Sequence, residues 1–278
     1  MTSDSLQSFI FEGHDVRGRL VRLQESIQAI ILQHNYPPVI HTILGELLTA
    51  TVLLSSSFKY DGQLTIQFQS EGPLRMLVAK CNHHLEIRGL AQWDHTATEQ
   101  MLQETFFSGR LIVTVENLSD NHRYQSIIEI NQKTIAEALE QYFQQSEQIP
   151  TKLVMTNHQK QFVGFLVQKM PSHNVEELAF WQHVEILTNT LKSDELLQWN
   201  NQRLLKNLFC EENVRLFDHQ PVLFKCTCSQ EKSKNTLCLL GREEVLNYFL
   251  TNKRLTMTCD YCDQTYEFTK PEAEQLFH

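Results

Sequence analysis

The residues with the richest chemistry are cysteines crowded into the last quarter of the chain. Cys226-Thr227-Cys228 is followed, after thirty residues, by Cys259-Asp260-Tyr261-Cys262. Two close thiol pairs separated by a foldable segment can meet around one ion, and tetrahedral zinc favours such soft thiolate donors. The spacing therefore predicts one zinc ion held by Cys226, Cys228, Cys259 and Cys262. A thiolate is also the form of sulfur that oxidants attack, and either pair can close on itself as a disulfide, removing two ligands each time. Such a centre is a stability element that oxidation deletes.

The other cysteines have plainer readings. Cys81 lies in a strand-like segment and reads as a small core residue, and Cys210, after Leu208-Phe209, as packing at a helix end. Cys238 lies between the two pairs and is the rival ligand, although Leu237 to Leu240 reads as an apolar helical stretch. The pair His83-His84 is expected to point to opposite faces of a strand, which argues against a metal site. The sequence carries no G-x-x-x-x-G-K-S/T, G-x-G-x-x-G, H-E-x-x-H or G-x-S-x-G, so no catalytic residue or nucleotide site is expected.

The elements that must position these sulfurs fall into three stretches, an α+β organisation. Residues 1–172 read as a large domain of sheet and helix. Two strands are expected between Leu6 and Leu23, then helices over Ser26 to His34 and Pro38 to Ser57. Period-2 strands follow at Leu64 to Phe68, Leu74 to Ala79, Leu85 to Leu90, Leu111 to Val115 and Tyr124 to Ile130. A helix over Thr134 to Gln145 and strands at Leu153 to Met155 and Phe162 to Val167 complete the domain. Residues 173–224 read as a helical linker, with Phe180, Val184, Leu187 and Leu191 on one stripe and a second short helix from Ser193. So Asn- and Gln-rich a stretch must dock on a neighbour to stay folded. Residues 225–278 form the cysteine module, with a small helix after Gly241 and a strand at Thr265 to Phe268. Its few apolar side chains make metal binding a main source of folding free energy.

The bulk numbers bound the reading. A chain of 278 residues suits two or three domains, and 41% hydrophobic with 21% charged residues is ordinary globular composition. Net charge is −9, opposite to the basic footprint that nucleic acid rewards. The N-terminus lacks the pattern of a secretory signal, and Pro37 to Phe58, the best membrane candidate, carries His41 and Glu46. A cytoplasmic protein without nucleic-acid or membrane partners is expected.

At this point the sequence resembles the heat shock protein 33 family. The tail carries Val222-Leu223-Phe224-Lys225-Cys226-Thr227-Cys228-Ser229, Leu240-Gly241-Arg242-Glu243-Glu244-Val245 and Cys259-Asp260-Tyr261-Cys262. The front carries Leu44-Gly45-Glu46-Leu47-Leu48, Lys59-Tyr60-Asp61-Gly62, Glu71-Gly72-Pro73-Leu74 and Tyr142-Phe143-Gln144-Gln145-Ser146-Glu147-Gln148-Ile149-Pro150-Thr151. The resemblance implies an ATP-independent holdase chaperone of the oxidative stress response. Oxidation joins Cys226 to Cys228 and Cys259 to Cys262, zinc is released, the linker unfolds, and exposed apolar surface captures unfolding client proteins. It also implies a homodimer in the oxidised state. Two other readings of the cysteines are a constitutive zinc-ribbon adaptor for proteins and a thiol–disulfide oxidoreductase using Cys259 and Cys262.

Overall fold

The structure, a computed structural model, describes residues 4–55, 61–106, 108–117, 122–130, 134–171 and 176–277. The expected linker start at residue 173, the expected helix end at Ser57 and the Lys59-Tyr60 part of the family motif lie outside the described residues. The chain divides into two compact units, Met1–Phe224 and Lys225–His278.

In the first unit, β1 (Ser5–Phe11) and β2 (Val16–Leu23) form a hairpin that turns at Gly13 in a left-handed conformation, φ 86°. The helices α1 (Glu25–Ile31) and α2 (Pro38–Ser55) follow. The Asp4 carboxylate accepts from the backbone N–H groups of Gln24, Glu25 and Ser26 at 2.7, 3.1 and 2.6 Å, satisfying the first orphan donors of α1 from outside the helix. Next come β3 (Gly62–Gln69), β4 (Leu74–Asn82), β5 (Glu86–Trp93), α3 (Glu99–Phe106), β6 (Arg110–Asn117) and β7 (Arg123–Glu129). After α4 (Ile135–Tyr142) and a wide turn at Phe143–Glu147 run β8 (Thr151–His158) and β9 (Gln161–Lys169). The unit ends with α5 (Glu176–Asn189), α6 (Ser193–Gln198), α7 (Asn201–Leu208), β10 (Val214–Pro221) and β11 (Leu223–Phe224).

The strands form a five-stranded sheet in the order β10-β1-β2-β9-β8 and a six-stranded sheet in the order β11-β5-β4-β3-β6-β7. Helix α2 packs against strands of both sheets. It is long and apolar enough to cross a membrane by length and composition, more than the sequence reading allowed. In this fold it is the central core helix, buried on most sides from Ile40 to Ser55. Its approach to β9 depends on Gly45, where a Cβ atom would lie 2.3 Å from the Phe162 ring. The helix carries one carboxylate: burial pushes the Glu46 carboxyl up to about 7, against a 3.0 Å hydrogen bond from Asn157 Nδ2.

Three differences from the sequence reading concern this unit. Helix α3 was not anticipated, although Leu102 and Phe106 are buried one turn apart. The His83 and His84 rings do not diverge across a strand. Both residues lie in the β4–β5 turn with ring centroids 3.9 Å apart, because the Asn82 side chain accepts from the N–H groups of His84 and Glu86 and Leu85 adopts φ 58°. The stretch 173–224 is not helical throughout: β10 adds to the edge of the five-stranded sheet beside β1, and β11 runs parallel to β5. An edge strand as exposed as β10 carries almost no alternation, so its partner strand rather than its own pattern defines it.

The second unit contains α8 (Gln230–Leu240), α9 (Arg242–Thr251), the antiparallel pair β12 (Arg254–Thr258) and β13 (Thr265–Thr269), and α10 (Lys270–Gln275). Neither β12 nor α10 was anticipated. Leu237, Val245, Phe249, Leu255, Phe268 and Ala273 form its small core.

Candidate metal centre

The β12–β13 hairpin places the second cysteine pair. Cys259 follows β12 directly, and its carbonyl accepts from the N–H groups of Cys262 at 3.3 Å and Asp263 at 2.9 Å. Asp263 takes the left-handed conformation, φ 52°, and the Cys259 N–H returns to the Gln264 carbonyl at 3.0 Å. The chain is thereby folded so that both sulfurs emerge on one side of the turn. Cys226 and Cys228 come from the extended segment ahead of α8, which Ser229 caps by accepting from the Lys232 N–H.

All four sulfurs, Cys226, Cys228, Cys259 and Cys262, lie within 4.8 Å of one another. The Cys226–Cys259 separation is 3.7 Å and the Cys228–Cys262 separation 3.4 Å. Four sulfurs tetrahedrally bound to zinc at about 2.3 Å would stand about 3.8 Å apart, so the donor set fits that ion in number, softness and spacing. The electrostatics point the same way. Burial pushes the Cys259 and Cys262 thiols above their ordinary value, and neighbouring thiols add to the rise. Burial also acts on Cys228, but hydrogen bonds from Tyr266 and from the surrounding thiols outweigh it and hold this group at about 7. Four sulfurs this close cannot all ionise without a compensating cation.

The remaining cysteines stand outside this group. Cys81 is buried, receives a 3.1 Å hydrogen bond from Ser55, and is pushed up by burial to about 12. Cys210 is exposed at the end of α7 rather than packed. Cys238 is also exposed, with Sγ 3.7 Å from the Leu276 carbonyl oxygen. The apolar reading of its segment missed that Leu237 alone turns inward while Leu239 and Leu240 face solvent.

A second region of interest is the layer of α5, α6 and α7 on the five-stranded sheet. Trp181, Val184, Leu196, Leu204, Leu205 and Phe209 join Phe9, Phe11, Leu20 and Phe165 in one apolar cluster. The buried line of α5 runs Glu177, Trp181, Val184 and Thr188, with Phe180, Leu187 and Leu191 flanking it. Polar contacts hold both ends of the layer. The Glu177 carboxylate accepts from the Asp15 N–H at 2.8 Å and faces His14 Nδ1 at 3.1 Å. Arg22 donates to Asn201 Oδ1 at 2.8 Å and to the Trp199 carbonyl at 2.5 Å, and Asn201 donates to Gln7 at 2.9 Å. These polar partners are invisible in local sequence because they lie more than 160 residues apart.

Fold and thiol cluster together define a two-unit α+β protein whose smaller unit carries a four-cysteine centre of metal-binding type. The family model described as Hsp33 protein matches residues 4–269. The chain is 40% identical over 274 residues to the 33 kDa chaperonin of Nitrosococcus oceani, covering 99% of this chain and 94% of that protein. It is 37% identical over 281 residues to the 33 kDa chaperonin of Shewanella sediminis, covering 100% and 96%. The crystal structure of the 33 kDa chaperonin of Thermotoga maritima has the same fold, with TM-score 0.83, 23% identity and coverage of 98% and 97%. This chain belongs to the heat shock protein 33 family of chaperones.

Proposed function

We propose that this protein is a redox-regulated holdase of the cytoplasm, silent while reduced and active after oxidation. The observation that carries the reading is the convergence of four thiols from two separate segments to within 4.8 Å of one another. In the reduced state Cys226, Cys228, Cys259 and Cys262 hold one zinc ion, which when bound keeps the sulfurs as thiolates and ties the extended segment to the hairpin. Oxidation to Cys226–Cys228 and Cys259–Cys262 disulfides removes all four donors and the metal with them. The small core cannot hold the module alone, and its unfolding releases the metastable stretch 173–224. The apolar stripe of α5 and the sheet face beneath it then bind unfolding proteins without ATP, and the oxidised chains associate as homodimers.

The test measures zinc and free thiols in one sample before and after peroxide, beside suppression of aggregation of a heat-unfolded client in ATP-free buffer. One zinc and four thiols are expected to be lost as suppression appears, and Cys238→Ser should still bind zinc. Activity in the reduced protein equal to that after peroxide would favour a constitutive adaptor. Turnover of insulin disulfides would favour an oxidoreductase.

A further inference from the structure

The four sulfurs do not share one environment. Backbone N–H groups face two of them, that of Tyr261 at Cys259 and that of Gln264 at Cys262, as the hairpin turn dictates. Cys228 instead receives a side-chain donor, the Tyr266 hydroxyl, at 3.1 Å. The hydroxyl is held there by the hairpin. Tyr266 pairs with Met257 in the β12–β13 register, and β13 alternates so that Tyr266 and Phe268 turn inward while Thr265, Glu267 and Thr269 stay exposed. Phe268 is fully buried in the module core, and the Tyr266 ring packs against that core at its edge. An ion pair between Arg254 and Glu267 on the outer face braces the same two strands.

We infer that Tyr266 is a positioning residue of the switch, whose hydroxyl, once the sulfurs are thiolates on the metal, shields the Cys228 sulfur and slows oxidation of the Cys226–Cys228 pair. A thiolate attacks peroxide through a sulfur lone pair: an S–O bond forms, the O–O bond breaks and hydroxide leaves. The partner thiolate then displaces a second hydroxide from the sulfenic sulfur, so two thiolates and one peroxide give one disulfide and two hydroxides. A hydrogen bond donated to sulfur occupies part of that lone-pair density, lowering nucleophilicity while leaving the sulfur able to bind a metal. The backbone donors of the other pair cannot be removed by mutation, but Tyr266 can lose its donor with little change of shape. The geometry of a C-x-C disulfide, more strained than that of C-x-x-C, acts in the same direction, so the hydroxyl reinforces an order that ring strain already favours.

This inference rests on the proposed zinc-thiolate switch, and a zinc count on the unsubstituted reduced protein tests that reading separately. The experiment maps disulfides by mass spectrometry in protein partly oxidised with hydrogen peroxide, comparing the unsubstituted chain with Tyr266→Phe, and measures zinc affinity of both by chelator competition. In the unsubstituted chain the Cys259–Cys262 disulfide should dominate at early times. In Tyr266→Phe the share of early Cys226–Cys228 disulfide should rise about tenfold, with zinc affinity lowered by a similar factor. A second variant carrying 4-fluorophenylalanine at 266 keeps the ring and its para substituent without the donor, so it reads the hydroxyl even where the smaller side chain loosens the module. An unchanged early share of the Cys226–Cys228 disulfide in the zinc-loaded variants overturns the inference, as does an equal acceleration of both pairs, which would show a merely structural role for the ring.

Discussion

Under α5, α6 and α7 the first unit buries Phe9, Phe11, Phe165, Trp181, Val184 and Phe209 between two layers, and a still larger core surrounds α2. The second unit buries only Leu237, Val245, Phe249, Leu255, Phe268 and Ala273, and leaves Leu239 and Leu250 in solvent. Apolar burial of about 25 cal/mol per Å² scales with the first inventory and falls short with the second, because a unit of about fifty residues has too little interior to offset chain entropy. On the proposed reading a metal held by the four sulfurs fills that gap in the second unit. One region is stabilised by bulk, and the other combines a small core with four clustered sulfurs that an oxidant can convert.

The largest effect that would sharpen this contrast is metal removal. Adding a strong zinc chelator to reduced protein should cost the second unit on the order of 10 kcal/mol of coupled folding free energy. Hydrogen exchange should then show loss of protection in β12 and β13 with the six-stranded sheet unchanged. Continued protection of the hairpin without metal would mean that its apolar core suffices, and the contrast would fail.

The next effect lies inside the large unit. Burial raises the folded-state pKa of Glu46 from an ordinary 4.5 to about 7, so the native protein keeps this proton at a pH where the unfolded chain has released it. Stability is therefore fullest below the ordinary carboxylate value and falls as the pH rises towards about 7. Glu46→Gln removes the penalty and should gain on the order of 3 kcal/mol at pH 8, and little at pH 4, by urea unfolding of the first unit. An equal gain at both pH values would show that packing, not charge, is the cause.

The smallest of the three concerns the layer between the regions' behaviours. Leu187→Glu places a charge at the margin of the α5 stripe and should weaken docking by about 2 kcal/mol. Hydrogen exchange should show α5 to α7 more open, and aggregation of a heat-unfolded client should be suppressed without oxidant while zinc stays bound. Opening without suppression would assign the client surface to the disulfides or to the dimer they permit.

Much of this was legible in the sequence because it is local. The spacing of Cys226, Cys228, Cys259 and Cys262 nominated the four sulfurs that the fold gathers, and the period-2 stretches from Leu64 to Leu90 announced β3, β4 and β5, since alternation and cysteine spacing are properties of neighbouring residues. What the tertiary structure alone decided is nonlocal. It made β10 a sheet strand by giving it β1, and set Arg22 against Asn201, Glu177 against His14 and Asp15, and the Tyr266 hydroxyl against Cys228. Single hydrogen bonds of this kind leave no periodicity behind, because a donor and an acceptor far apart in the chain meet only once the hydrophobic layers have brought their elements together.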